Sequence, residues 1–281
     1  MQKTLKRYFP IFVVPTLIAF AFAFIIPFIQ GVYLSFCKFT TVGNAEWIGW
    51  DNYKAALTSQ NDFVYSFGIT VAFTLISIVT INVFAFCIAL LLTRKLKGTN
   101  FFRTVFFLPN LIGGIVLGYT WQQMINAVLY KYGTTIVSEF KYGFIGLIIL
   151  MNWQMIGYMM IIYIAGLQNI PTELIEAAEI DGATSMQTLF KVKIPMVMPS
   201  ITICMFLTLS NSFKLFDQNL SLTAGAPMHK TEMMALNIYQ TFYGKVGQEG
   251  VGQAKAVIFF LIVAGISVIQ LLATRSKEVE Q

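Results

Sequence analysis

Six long runs without a charged residue govern what this chain can become: Pro10 to Phe36, Phe67 to Thr93, Thr104 to Asn126, Gly143 to Leu167, Met196 to Phe213 and Ala256 to Thr274. A bilayer hydrocarbon core of roughly 30 Å takes ~20 helical residues, so each run can cross it. Backbone polar groups in lipid must be satisfied within a helix or a closed barrel, and barrel strands alternate over about ten residues, which these runs do not. The expectation is an all-α integral membrane protein of six transmembrane helices. Composition agrees: 57% of the residues are hydrophobic and 11% charged, with a mean hydropathy of +0.70, whereas soluble domains carry about 25% charge. No repeat, low-complexity tract or linker divides the chain, so residues 1–281 read as one domain.

The net charge of +6 does not point to nucleic acid, because the basic residues sit at the ends of apolar runs rather than in a stripe interleaved with aromatics. They orient the chain. Lys3, Lys6 and Arg7 precede the first run, and Arg94, Lys95, Lys97 and Arg103 separate the second from the third, so both places belong in the cytoplasm. Six crossings put the carboxyl terminus inside as well, where Arg275 and Lys277 follow the last run. The segments Cys37 to Ser66, Ala127 to Tyr142 and Lys214 to Lys255 then fall outside. Lys214, Lys230, Lys245 and Lys255 run against the charge rule, but long loops obey it poorly. Ala19-Phe20-Ala21 mimics a signal-peptide cleavage site, yet apolar sequence continues to Phe36, so the segment is an anchor that stays.

Cys37, Cys87 and Cys204 are an odd number without metal or disulfide spacing, and read as buried free thiols. His229 has no Cys or His partner nearby and reads as a loop residue rather than a metal ligand.

Between the fourth and fifth runs, residues 168–195 have structure of their own. Pro171 suits a first helical position, and Glu173 and Glu176 lie where carboxylates meet the positive end of a helix. Gly182 can close that helix in a left-handed turn, and Thr184 with Gln187 has the spacing of a capping box that starts a second short helix. Ala177 and Ala178 permit close backbone approach, while Leu174, Ile175, Met186, Leu189 and Phe190 supply apolar contacts. Such a helix–bend–helix either docks into a groove on a partner or lies on the lipid surface. Glu173, Glu176, Glu179 and Asp181 suit an anionic membrane face poorly, which favours docking.

Here the sequence resembles a family. Glu176-Ala177-Ala178, three residues, Gly182, nine residues and then Val192-Lys193-Ile194-Pro195 is similar to the EAA motif of binding-protein-dependent ABC importer permeases. That family commonly ends the motif Ile-x-Leu-Pro. Phe213-Lys214-Leu215-Phe216-Asp217, Leu222-Thr223-Ala224-Gly225-Ala226-Pro227 and Asn237 to Phe242 resemble the carbohydrate-uptake permeases of MalF type, where the middle segment commonly reads Thr-Gly-Gly-Pro. The resemblance implies the type I ABC importer permease architecture, with a cytoplasmic coupling helix between spans four and five that sits in a cleft of an ATPase. It assigns ATPase coupling to Glu176, Ala177, Ala178, Asp181, Gly182 and Pro195. It also implies a second permease subunit, two ABC ATPase subunits, an extracytoplasmic solute-binding protein, and a bacterial or archaeal cell membrane as the location.

No phosphate-binding loop G-x-x-x-x-G-K-[ST] occurs, so ATP, if it is used, is expected to be held with Mg and hydrolysed by a partner ATPase, and this chain is not expected to be an enzyme. The six runs contain no Asp, Glu, Lys, Arg or His, which argues against proton coupling and against an intramembrane hydrolase. An ion-coupled secondary transporter of a neutral solute stays open, since backbone carbonyls can bind sodium. Neutral polar and aromatic groups do occur in the runs, and Asn152, Trp153, Tyr158 and Asn211 are the candidates for a sugar pathway. Amides exchange hydrogen bonds with hydroxyls, and aromatic rings cover the apolar face of a sugar. Against this stand helix–helix hydrogen bonding and interfacial anchoring, which use the same residue types. Gly114 and Gly118 form a small-xxx-small pair that serves helix packing.

Overall fold

The computed structural model describes residues 2–58, 62–94 and 97–275; Lys95 and Lys277, two of the orienting residues, lie outside them. In chain order the helices are α1 Gln2–Phe20, α2 Ile26–Leu34, α3 Asp51–Leu57, α4 Phe63–Leu92, α5 Thr99–Phe107, α6 Gly114–Leu129, α7 Phe140–Gln168, α8 Thr172–Ile180, α9 Ser185–Thr188, α10 Ile194–Met196, α11 Met198–Phe213, α12 Asp217–Leu222, α13 Met234–Gly244 and α14 Glu249–Arg275. One small antiparallel pair, β1 Cys37–Lys38 with β2 Glu46–Trp47, follows α2.

Val13–Leu34, Phe63–Leu92, Phe140–Gln168 and Glu249–Ala273 are long and apolar enough to cross a bilayer. Six crossings result if two bent pairs each count as one: Thr99–Leu111 with Gly114–Tyr132, bent by 101°, and Ser185–Met196 with Met198–Phe213, bent by 69°. The third apolar run is therefore not one straight helix. Pro109 lies in the 3-10 turn Leu108–Leu111, and Ile112 and Gly113 are extended, with ψ of 134° and 138°. The fifth run starts at its break because Pro195 and Pro199 flank Val197. A proline supplies no N–H, and its ring crowds the carbonyl four residues back. π turns at Ala21–Ile25 and Leu189–Lys193 precede Pro27 and Pro195, loosening the helix where that crowding falls.

Two compact units make up the structure, one of the segment ending at Phe63 with Ile238–Phe260, the other of Val64–Asn237 with the segment from Leu261. In the first, buried Asn52 donates from Nδ2 to the carbonyls of Ser35 at 2.9 Å and Cys37 at 2.8 Å. Gly250 passes so close that a Cβ there would lie 2.4 Å from the Cys37 carbonyl oxygen. The last helix starts at Glu249, ahead of the run beginning at Ala256, and so takes in Lys255. Lys255 is buried rather than looped out. Its ammonium donates to Thr241 Oγ1 at 2.7 Å and stands 5.5 Å from the Phe63 ring centroid, contacts that offset part of its desolvation.

In the second unit α7 is the central post, burying Leu147, Leu150, Met151, Met155, Met159, Met160 and Tyr163 among others. One face of α4 packs into the same core through Phe73, Ile81, Ala85 and Ala89. Tyr163 Oη donates to Asn82 Oδ1 at 2.7 Å, and Asn82 Nδ2 lies 3.3 Å from Thr208 Oγ1, tying α4, α7 and α11 together. Cys37 and Cys204 are buried, but Cys87 is exposed. Because α4 is apolar on all sides, composition does not tell which face turns outward. Gly114 and Gly118 serve packing as expected: a Cβ at Gly118 would meet Ser221 Oγ at 1.8 Å, and one at Gly114 would meet Asp217 Cβ at 2.7 Å. Their partner is α12, so the stretch after Lys214 is a packed helix rather than an open loop.

Candidate functional site

The segment between α7 and α11 is a helix–bend–helix. Pro171 is the N-cap of α8, with ψ of 132°, one residue ahead of the first helical position; its fixed φ suits either place, and its extended ψ assigns it to the cap. Glu173 lies in the first turn. At the other end Gly182 has φ of +76°, its N–H donates to the Glu179 carbonyl at 3.1 Å, and the Ala183 N–H donates to the Ala178 carbonyl at 2.9 Å. That pair of bonds is a Schellman closure, which calls for glycine at the left-handed position. Thr184 and Gln187 then form a reciprocal capping box, Gln187 N–H to Thr184 Oγ1 at 3.3 Å and Thr184 N–H to Gln187 Oε1 at 2.8 Å.

Glu176, Ala177 and Asp181 are exposed on this hairpin, Ala178 and Pro195 half-buried. Its apolar side chains point out as well: Ile180 is 86% exposed, Met186 63% and Phe190 61%. A cavity of about 320 Å³ separates the hairpin from the end of α4, lined by Thr93, Arg94, Ile175, Glu179 and Lys193 among others. Exposed apolar groups on a well-capped element make the hairpin a candidate docking surface.

A second cavity, of about 290 Å³, lies where the bent helices meet. Asn110, Gln154, Asn211 and Gln218 line it, with Lys214 and Asp217. Gln218 Nε2 donates to Gln154 Oε1 at 2.7 Å, and Gln154 Nε2 donates to the Ile112 carbonyl at 3.3 Å. Among the described residues Asn110 Nδ2 meets only the Met155 sulfur, at 3.6 Å, a weak acceptor that a hydroxyl readily replaces. Of the four pathway candidates, Asn211 alone reaches this cavity. Asn152 donates to the Ile148 carbonyl at 2.8 Å, with Oδ1 buried and without a partner among the described residues. Trp153 packs edge-on against Trp121 with centroids 5.5 Å apart, and Tyr158 lies against Phe107 at 6.5 Å. Asn110 and Gln218 escaped the sequence reading because one sits in the break of the third run and the other beyond the fifth; Pro109 beside Asn110 was the available signal.

One helix connects the two features. α11 starts beside Pro195, at the foot of the hairpin, and after 16 residues, roughly 24 Å, it ends at the cavity with Asn211 and Lys214. It is bound closely to α7: a Cβ at Gly166 would meet Ser200 Oγ at 2.3 Å, and Cys204 Sγ lies 3.7 Å from the Met159 carbonyl oxygen. A polar cavity among bent membrane helices, linked by one helix to an exposed hairpin, is the arrangement of a multi-pass membrane permease.

The chain belongs to the family of binding-protein-dependent transport system inner membrane components, whose model matches residues 97–278. It is 47% identical, over 96% of its own length and 94% of the relative's, to the probable starch degradation products transport system permease protein AmyD of Thermoanaerobacterium thermosulfurigenes. It is 33% identical, over 99% of both chains, to the multiple sugar-binding transport system permease protein MsmF of Streptococcus mutans. Among solved structures it superposes with a TM-score of 0.82, at 19% identity and over 98% of both chains, on a chain of a bacterial ABC transporter involved in the import of the acidic polysaccharide alginate. The fold is thus that of an ABC importer permease, as the EAA resemblance implied.

Proposed function

We propose that this chain is one permease subunit of an ATP-driven importer for a sugar or oligosaccharide. It acts as one domain over residues 1–281 with 168–195 as its coupling segment, beside a second, different permease subunit, two ABC ATPase subunits that hold the ATP and Mg, and an extracytoplasmic binding protein. Both termini face the cytoplasm. The observation that carries this reading is the connection of hairpin and cavity through α11. The cargo class is supported by the amide lining, which suits hydroxyls without imposing a net charge, and by relatives named for starch products and multiple sugars.

In this mechanism Glu176, Ala177, Ala178, Asp181 and Gly182 seat in the ATPase cleft, with Ile180, Met186 and Phe190 as apolar anchors. Closure of the ATPases on nucleotide moves the hairpin, and Pro195 passes the motion to α11 and α7 as a packed pair. The walls of the cavity shift against the partner permease, and access alternates between the two sides. Asn110, Gln154, Asn211 and Gln218 exchange their present hydrogen bonds for cargo hydroxyls, with Asn152, Trp153 and Tyr158 bordering the same path. The test is purification of the chain from its native membrane. Recovery of a second permease and an ATPase, with hydrolysis stimulated by a sugar-loaded binding protein, is expected; a chain that purifies alone, without ATPase activity, contradicts the reading.

A further inference from the structure

The first unit carries an aromatic cluster of its own. Phe36 stacks on Trp47 with centroids 5.2 Å apart and planes at 16°, Trp50 meets Phe36 edge-on at 5.1 Å, Tyr53 leans on both, and Tyr33 packs against Trp47 at 5.7 Å. The cluster is built rather than incidental. Tyr53 Oη and Ser35 Oγ share a hydrogen bond of 2.6 Å, the Ile48 N–H donates to the Phe36 carbonyl at 2.9 Å, and buried Asn52 binds the turn from beneath. Yet its outer rings are uncovered: Trp47 is 59% exposed, Trp50 63% and Tyr33 53%. Among the described residues neither indole N–H has a protein acceptor, so each can donate to a group outside the protein.

Its place along the chain says what supplies the acceptors. The first span, Val13–Leu34, has 22 residues, about 33 Å of helix against a hydrocarbon core of roughly 30 Å. Tyr33 is its penultimate residue, so the cluster begins where the hydrocarbon ends. Rings with an apolar body and one polar tip partition to that depth. Two rings already pack on Trp47, which leaves it a poor open platform for a pyranose.

We propose that Tyr33, Trp47 and Trp50 form a phospholipid-anchoring surface that fixes the depth of the first span. The indole N–H groups donate to ester carbonyl or phosphate oxygens of the leaflet opposite the amino terminus. Phe36, Tyr53 and Asn52 hold the rings in place, so the anchor is preformed and loses little conformational freedom on meeting lipid.

The assembled importer, reconstituted in phosphatidylcholine nanodiscs, provides the test through tryptophan emission. Subtracting the emission of a W47F/W50F importer isolates these two indoles from every other tryptophan in the complex, and subtracting that of W47F alone isolates Trp47 should the double variant assemble poorly. Lipid brominated near the carbonyl end of its chains is expected to quench this difference emission at least about twofold more than lipid brominated near the methyl end. Maltooligosaccharide should leave it unchanged. Quenching by neither lipid, with emission that shifts on adding the oligosaccharide, would overturn the proposal in favour of a sugar platform. Emission indifferent to lipid and sugar alike would overturn it in favour of burial against a partner subunit.

Discussion

Gly182 offers a way to separate backbone conformation from space. Its φ is +76°, and a Cβ added there would meet nothing within 4 Å, so any effect of substitution comes from the conformation itself. The left-handed region costs an L residue roughly 1–2 kcal/mol, and Asn less because its short polar side chain tolerates it; a β-branched side chain is a genuine outlier there. A penalty of about 1–2 kcal/mol shifts a local equilibrium by about 5–30-fold. It falls on the Schellman closure alone, since the hairpin is exposed and the spans have their own cores. Gly182→Val should therefore insert and assemble normally but lower the sugar transported per ATP hydrolysed. Gly182→Ala should fall between, and Gly182→Asn should stay close to the parent. The assay is paired uptake and phosphate release in proteoliposomes. Equal coupling ratios for the Asn and Val variants would refute the argument, because they would show that the left-handed bend is not what transmits the motion.

Three further outcomes follow from the packing and the cavity. Gly118→Ala drives a Cβ into Ser221 Oγ, which lies 1.8 Å from its position; overpacking of this kind costs about 1–3 kcal/mol, so the thermal midpoint in detergent should drop and Ser221→Gly should restore part of it. Tyr163→Phe leaves Asn82 Oδ1 without its donor, at a cost of about 1–3 kcal/mol; the same thermal measurement should show a loss that is much smaller when Asn82 is already Leu. Gln154→Leu removes two hydrogen bonds and an amide from the cavity wall, and should raise the KM for uptake while leaving basal ATP hydrolysis unchanged, as read by titrating the sugar-loaded binding protein.

The hairpin was the most legible part of the chain. Its caps depend on local chemistry, glycine for a left-handed turn and Thr184 with Gln187 for reciprocal bonds, and local chemistry is visible in sequence. Pro171 lies one residue ahead of the first helical position that sequence suggests, because a proline fits both the cap and the first turn. The membrane-crossing runs were found, but hydropathy carries no direction, so the bend at Pro109 to Gly113 and the exposure of Cys87 were not. The cavity was the least legible. It depends on α12 lying against Gly114 and Gly118, a long-range contact that brings Gln218 to Gln154 across 64 residues of chain. Lys255 reads as an outside residue by its charge, because Thr241 and the Phe63 ring that receive it come to it only through tertiary packing.

If ATP hydrolysed in a partner drives transport through this chain and the hairpin transmits the motion, uptake must depend on ATP and on no ion gradient. The test is uptake of a labelled sugar or oligosaccharide cargo into proteoliposomes that hold the assembled complex, with ATP inside or outside and with ion gradients imposed or collapsed. Accumulation that requires ATP on the hairpin side and a binding protein on the other, and ignores the gradients, is the predicted result. Accumulation that follows a sodium or proton gradient without ATP would contradict it.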